Sequence, residues 1–376
     1  MPSLATRSLA SLLLTASALP AAAWAQRDCT RTSVGFTPLI DMGASTYQGF
    51  DGGLYANGAN LPPPAHLAAG VAIGRAIRPL DAAGLPSTDG RVVLVTIGMS
   101  NTRNESARLI PMYGSFDNRN PRVTVVNGAQ GGQHAGIISN PSASYWSYVD
   151  QQLANAGLTR EQVQVVWVKQ AVAGPNLAFP ADAQQLQGYL REIVRIIKDR
   201  YPNTRQAFLS SRIYAGYALT TLNPEPYAYQ SGFSVKWLIR DQIAGDPGLA
   251  FDGPGPVEAP WLAWGAYLWG DGLTPRSDGL IWRCDDFQAD GTHPSAQGSD
   301  KVANLLIRDW ASEPTSRPWF VRCRADMNND GVTDFNDFLI FLALYNADSH
   351  RADANADGVI DFNDLLEYLN AYNAEC

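Results

Sequence analysis

Four short, almost unbroken apolar runs constrain this chain more than any other feature. Residues 92–97 read Val-Val-Leu-Val-Thr-Ile and stop at Gly98, and similar runs recur at 123–126, 163–168 and 207–210. None alternates polar with apolar residues, so each has the pattern of a strand buried on both faces. Helical patterns lie between them. In the clearest, Leu186, Leu190, Ile193, Val194 and Ile197 share one face and Pro202 follows the end. Strands alternating with helices predict an α/β fold with a parallel sheet covered on both sides. Active sites of such sheets collect in the loops beyond the strands' carboxyl ends.

The flanks have a different character. Arg7, an apolar stretch from Leu9 to Ala23 and the small-residue site Ala23-Trp24-Ala25 predict a signal peptide over residues 1–25. No later segment reaches about 18 uninterrupted apolar residues, so no transmembrane segment is expected and the mature chain is predicted to be secreted, periplasmic or at the cell surface. Residues 26–90, rich in Gly, Pro and Ala, read as an irregular segment packed on the core, with one helix from about His66 to Ile77. Residues 91–312 form the predicted catalytic domain, in which 215–290 is less regular and rich in aromatics. Residues 313–322, Glu-Pro-Thr-Ser-Arg-Pro in their first half, read as a linker to a small domain at 323–376.

Export permits disulfides. Four cysteines allow three pairings. Cys323–Cys376 is favoured because these residues bracket the C-terminal repeats, which leaves Cys29–Cys284; free buried thiols are the alternative. The net charge of −8 is unevenly spread. Eleven Asp/Glu and two Arg give residues 324–376 a balance of −9, so the remainder is close to neutral. Nothing is basic enough to suggest a nucleic-acid partner.

Chemistry enters through four blocks. Gly98-Met99-Ser100-Asn101 follows the first strand, and Asn127-Gly128-Ala129-Gln130-Gly131-Gly132 follows the second. Gly174-Pro175-Asn176 follows the third, and Asp290-Gly291-Thr292-His293-Pro294 opens a late helix. A serine hydroxyl is a weak nucleophile until a base accepts its proton, and neutral histidine suits that task near pH 7. A carboxylate three residues away can hold the imidazole's tautomer and stabilise its cation. The oxyanion of an attacked ester needs fixed donors, which the amides of Ser100 and Gly132 and the Asn176 side chain can supply. Thr102 replaces the last glycine of a Gly-x-Ser-x-Gly elbow, against an ordinary α/β-hydrolase. The four histidines, His66, His134, His293 and His350, form no spaced metal cluster. His134 is a candidate substrate contact, with a structural role as its alternative. Trp261, Trp264, Tyr267, Trp269 and Trp282 are candidates for stacking on sugar or walling an acyl chain, or else core packing.

The order of these blocks resembles the SGNH (GDSL-like) hydrolase superfamily over roughly Arg91 to Trp310. The resemblance implies a three-layer α/β/α fold and hydrolysis of acyl or acetyl esters. It makes Ser100 the nucleophile, Asp290 and His293 the rest of the triad, and Gly132 and Asn176 oxyanion residues alongside Ser100. Gly132 is selected over Gly131 because it lies five positions after Asn127. Gly-Met-Ser-Asn is similar to the Gly-Gln-Ser-Asn of sialate O-acetylesterase-like carbohydrate esterases, whereas block III has Leu177 where many members place Asp.

The C-terminal segment is a duplication. Residues 324–347 and 351–374 are offset by 27 positions and identical at 16 of 24. Asp326, Asn328, Asp330, Asp334 and Asp337 occupy positions 1, 3, 5, 9 and 12 of a loop with Gly331 at position 6 and the Val332 carbonyl at 7. Asp353, Asn355, Asp357, Val359, Asp361 and Asp364 repeat the set around Gly358. Several hard oxygens in a tight loop suit Ca²⁺, so two sites of an EF-hand kind are expected in a small all-α domain, and no cofactor is expected for catalysis. With one helix after each loop and none before the first, the segment resembles a type I dockerin. That resemblance implies a cohesin-like or cell-surface partner, although Phe335-Asn336 and Phe362-Asn363 stand where dockerins often carry small hydroxyl residues. Three readings follow: a secreted carbohydrate O-acetylesterase, a lipase or arylesterase of the same superfamily, and a non-catalytic, calcium-dependent surface-binding protein.

Overall fold

The computed structural model describes residues 27–328, 330–355 and 359–373. The predicted signal peptide lies outside them, as do Asp357, Gly358 and Cys376. The centre is a five-stranded parallel sheet of β1 (Val92–Gly98), β2 (Val123–Asn127), β3 (Val163–Lys169), β4 (Gln206–Leu209) and β5 (Trp261–Trp264), in spatial order β2-β1-β3-β4-β5. Every residue of β1, β3, β4 and β5 is buried, as the unbroken apolar runs require. The flanking helices are α1 (Pro64–Arg75), α2 (Ser100–Gly114), α3 (Ser144–Asn155), α4 (Ala181–Arg200), α5 (Tyr227–Ile243) and α6 (Ala296–Ser312). α2 packs along α6 and α4 along α5. The fold is therefore α/β, with helices covering a parallel sheet. Its strand order reverses direction beside β1, the position where open α/β sheets bind ligands.

The stretch expected to be irregular holds two regular elements. α5 has thirteen buried residues, polar ones included, so it lacks the one-sided stripe that marks a surface helix. β5 was hidden in the aromatic cluster. Trp261, Trp264 and Trp269 are at most 7% exposed, which corrects their reading as substrate contacts. Their indole N–H groups donate to the carbonyls of His66 and Leu54 and to the Glu225 carboxylate, at 3.1, 2.7 and 2.8 Å. Trp282 likewise donates to the Leu268 carbonyl at 2.9 Å. Buried indoles satisfied inside the fold are core, not platform.

Residues 313–322 are a second correction. Ser316, Trp319 and Phe320 are buried, Trp319 Nε1 donates to Gln206 Oε1 at 2.8 Å, and Tyr113 Oη donates to the Phe320 carbonyl at 2.8 Å. This segment seals one end of the sheet rather than bridging two bodies; its Pro, Ser and Arg content masked the Trp-Phe pair.

The N-terminal segment packs on the core, burying Leu39 and Met42, and Cys29 is bonded to Cys284 across 255 residues. The pairing of Cys323 with Cys376 falls outside the described residues. No described helix is long and apolar enough to cross a membrane. Past residue 323 come α7 (Phe335–Asn346) and α8 (Phe362–Asn373), each after one acidic loop and sharing a small core of Ala325, Met327, Phe341, Ala352 and Tyr368. Phe341 and Tyr368 stack with centroids 3.9 Å apart.

Candidate active site

Ser100 is the first residue of α2, two residues beyond the end of β1. The turn there is tight because a Cβ on Gly98 would lie 2.2 Å from Thr102 Oγ1 and 2.6 Å from the Lys169 carbonyl. Thr102 Oγ1 donates to that same carbonyl at 2.9 Å, fastening the first turn of α2 to the end of β3. First-turn amides of a helix have no intrahelical acceptor, so this position offers N–H groups and a positive dipole end beside the Ser100 hydroxyl.

His293 reaches the serine from the other end of the chain. Its Nε2 lies 2.8 Å from Ser100 Oγ, and its Nδ1 lies 2.5 Å from Asp290 Oδ2. The other Asp290 oxygen accepts from the amides of Thr292 and His293 at 2.9 and 3.0 Å. Burial alone would raise the Asp290 carboxyl, but the hydrogen bonds from the His293 ring and the two amides outweigh it and hold the group down at about 2. The turn requires Gly291, with φ of +68°; a Cβ there would lie 2.5 Å from the Tyr217 carbonyl oxygen.

Several ties that assemble this centre were not foreseen from sequence. Asn101, 1% exposed, donates through Nδ2 to the Thr292 carbonyl at 3.0 Å and so clamps the nucleophile's helix to the histidine turn. Thr220 Oγ1 is 2.6 Å from Thr292 Oγ1. Beneath them Lys169, at the end of β3, forms a fully buried ion pair with Glu105 of α2. Burial pushes the Lys169 ammonium down, opposed by Glu105 and reinforced by Arg212, to about 8. A lysine closing an apolar strand was the available signal for this pair, because a buried ammonium needs an anion.

The block II loop is held to β1 by Gln130 N donating to the Gly98 carbonyl at 3.0 Å. A Cβ on Gly131 would lie 4.0 Å from Ser100 Cβ; a Cβ on Gly132, whose φ is +78°, would meet nothing within 4 Å. Asn176 is exposed on the loop after β3. His134 packs over Gly136 near Tyr189, with Nδ1 buried and without a hydrogen-bond partner, and burial lowers its pKa.

In the C-terminal repeats Gly331 has φ of +81°, and Asp326 accepts from the amides of Asp330 and Gly331 at 3.1 and 2.8 Å. Asp337 accepts from Met327, Asn328 and Asp334, and Asp364 accepts from the equivalent Ala354, Asn355 and Asp361. The duplication is therefore structural as well as sequential. Among the described residues, no three His, Cys, Asp or Glu are gathered as a metal-binding group.

No protein-family model matches the sequence, and no curated protein matches it. Solved structures similar to it include the periplasmic domain of a lipopolysaccharide acetyltransferase from Salmonella ser. Paratyphi A, 17% identical with a TM-score of 0.34, over 58% of this chain and 84% of that one. A Bacteroides fragilis protein provisionally assigned as an acylhydrolase is 13% identical with a TM-score of 0.35, over 59% and 88% of the two chains. The salicylyl-acyltransferase SsfX3 of a tetracycline biosynthetic pathway is 16% identical with a TM-score of 0.32, over 60% and 56%. At these scores the likeness carries no argument about function.

Proposed function

We propose that this protein is a secreted serine ester hydrolase that removes acyl groups, acetyl among them, from carbohydrates. The observation carrying this reading is the continuous hydrogen-bonded chain from Asp290 through His293 to Ser100 at the carboxyl end of a parallel sheet. Ser100 Oγ attacks the ester carbonyl as His293 Nε2 takes its proton, and Asp290 stabilises the resulting imidazolium. The carbonyl electron pair moves to oxygen and then returns, expelling the alcohol with the proton from His293. Water, deprotonated by the same imidazole, then releases the acid and restores Ser100. Amides at the start of α2, with the block II loop and Asn176, are the proposed oxyanion donors.

Carbohydrate as the carrier rests on the resemblance of Gly-Met-Ser-Asn to carbohydrate esterases. The test is release of p-nitrophenol from its acetate, together with release of acetate from acetylated polysaccharides. Ser100→Ala and His293→Ala are each expected to lower kcat by roughly 10³-fold or more. Unchanged activity in either variant would overturn the triad, and a pure protein inactive on both panels would favour the surface-binding reading.

The acidic repeats complete the proposal as a calcium-dependent attachment module for a cohesin-like or cell-surface partner. Their donor set fits a hard cation: Asp326, Asn328, Asp330, Asp334, Asp337 and the Val332 carbonyl in the first loop, and Asp353, Asn355, Asp357, Val359, Asp361 and Asp364 in the second. Burial, with repulsion from Asp337 and Asp330, pushes the Asp326 carboxyl up to about 6 although two amides oppose it; a bound cation would relieve that crowding. Chelation with EDTA is expected to reduce the helical circular dichroism contributed by α7 and α8, and an unchanged spectrum would count against calcium.

A further inference from the structure

We infer that the ester taken by this site carries an apolar moiety of several carbons or an aromatic ring, and that Leu219 and Leu222 set that preference. The inference rests on the serine-hydrolase reading and deepens it. Residues 217–223 follow β4 and are fastened to the centre on both sides. On one side the Gly291 turn presses on the Tyr217 carbonyl, and Thr220 is bonded to Thr292, the residue before His293. On the other, the Leu222 carbonyl accepts from Gly174 N at 2.8 Å, and Asn223 Nδ2 donates to the Val172 carbonyl at 3.2 Å. This loop therefore joins the histidine turn, which is bonded to Ser100, to the block III loop.

Two of its three exposed residues, Leu219 and Leu222 but not Thr221, are the wrong kind for water. Tyr217, Ala218 and Asn223 are buried, yet Leu219 and Leu222 are each 47% exposed. Leu177, beside Asn176 on the facing loop, is 38% exposed. Single exposed leucines need no explanation, but three on two hydrogen-bonded loops, one of them tied to the histidine turn, offer apolar surface that a ligand can cover. Among the described residues, every tryptophan that could offer a stacking face to a bare sugar ring is buried. What covers the patch is either the acyl chain or the alcohol of the ester, and both present the same apolar chemistry.

The test uses the full chain. Fluorophosphonate labelling of Ser100 first establishes the nucleophile. One arm then compares kcat/KM for p-nitrophenyl acetate, butyrate and hexanoate; the other compares acetate release from ethyl, hexyl and benzyl acetates. The wild type is expected to favour the larger apolar member of at least one series by roughly tenfold, mostly through KM. Leu219→Asn with Leu222→Asn should reduce that ratio to within about twofold, each single variant giving part of the loss. Because both side chains are exposed, the thermal midpoint should hold. Leu85→Asn, at a still more exposed leucine outside the site, should leave both ratios unchanged. A labelled, active enzyme indifferent to size in both series, or a double variant that keeps the preference, overturns the inference while the hydrolase reading stands. An unlabelled and inactive wild type overturns both.

Discussion

Asp290, His293 and Ser100 are joined by hydrogen bonds in the order that the proposed acid–base chemistry requires. The Asp290 carboxylate is held down at about 2 by the hydrogen bonds from His293 and Thr292, so it is charged near neutral pH. Asp290→Asn keeps the shape but withdraws the charge and reverses the tautomer preference of the ring. It should lower kcat by about 10³- to 10⁴-fold at every pH from about 5 to about 9, as stopped-flow or steady-state ester hydrolysis would show. Gly291→Ala tests the turn itself. The new Cβ meets the Tyr217 carbonyl at a positive φ, so a loss of about 1–3 kcal/mol in stability and a drop in kcat of roughly 10²-fold are expected, read by calorimetry and kinetics. At this scale the sequence was most informative, because Ser, Asp and His in that order carry a specific chemistry. Asn101 and Thr220 were silent: one polar residue acting through one hydrogen bond leaves no periodic trace.

Among the elements, β1, β3 and α2 matter most, because they place Ser100 and two of them, β3 and α2, are joined by a buried charge pair. Lys169→Met leaves Glu105 buried without its cation, which typically costs about 3–5 kcal/mol; the melting temperature should fall by roughly 6–15 °C. The double variant Lys169→Met with Glu105→Gln should recover more than half of that fall, and a strictly additive loss would show that the pair is not coupled. At the end of α6, burial and the neighbouring Glu313 push the Asp309 carboxyl up to about 7, against the pull of Arg308. In the unfolded chain it would titrate near 3.9, so between about pH 4 and 7 the folded state holds a proton the unfolded state has lost. Stability attributable to this group therefore declines as pH rises through that window. Asp309→Asn should raise the melting temperature at pH 8 by roughly 2–4 °C and leave it unchanged at pH 4. The strands were legible because an unbroken apolar run has one physical meaning when helices flank it. α5 and β5 were not, since a helix buried on most sides and a four-residue strand among tryptophans carry no distinguishing period.

For the molecule as a whole, long-range closure dominates. The Cys29–Cys284 bond encloses all five strands of the sheet, and Arg27 N and Asp28 N donate to the carbonyls of Ala289 and Tyr217 at 2.6 and 2.9 Å, next to the histidine turn. Replacing both cysteines with serine should cost about 2–5 kcal/mol in denaturant titrations. Activity should decline at lower denaturant than the sheet unfolds, because the strap lies against Asp290. The clamp from Asn101 to Thr292 joins positions 191 residues apart. That separation sets an order of events during synthesis. A chain emerging from the ribosome carries Ser100 early and His293 late, and loops of this length close slowly. Until the last quarter of the sheet domain is available, no partial product can complete the proton relay. The disulfide that fastens the first residues beside that relay forms only under oxidising conditions. On the proposed function, a chain in transit would thereby be kept from hydrolysing the esters of the cell that makes it.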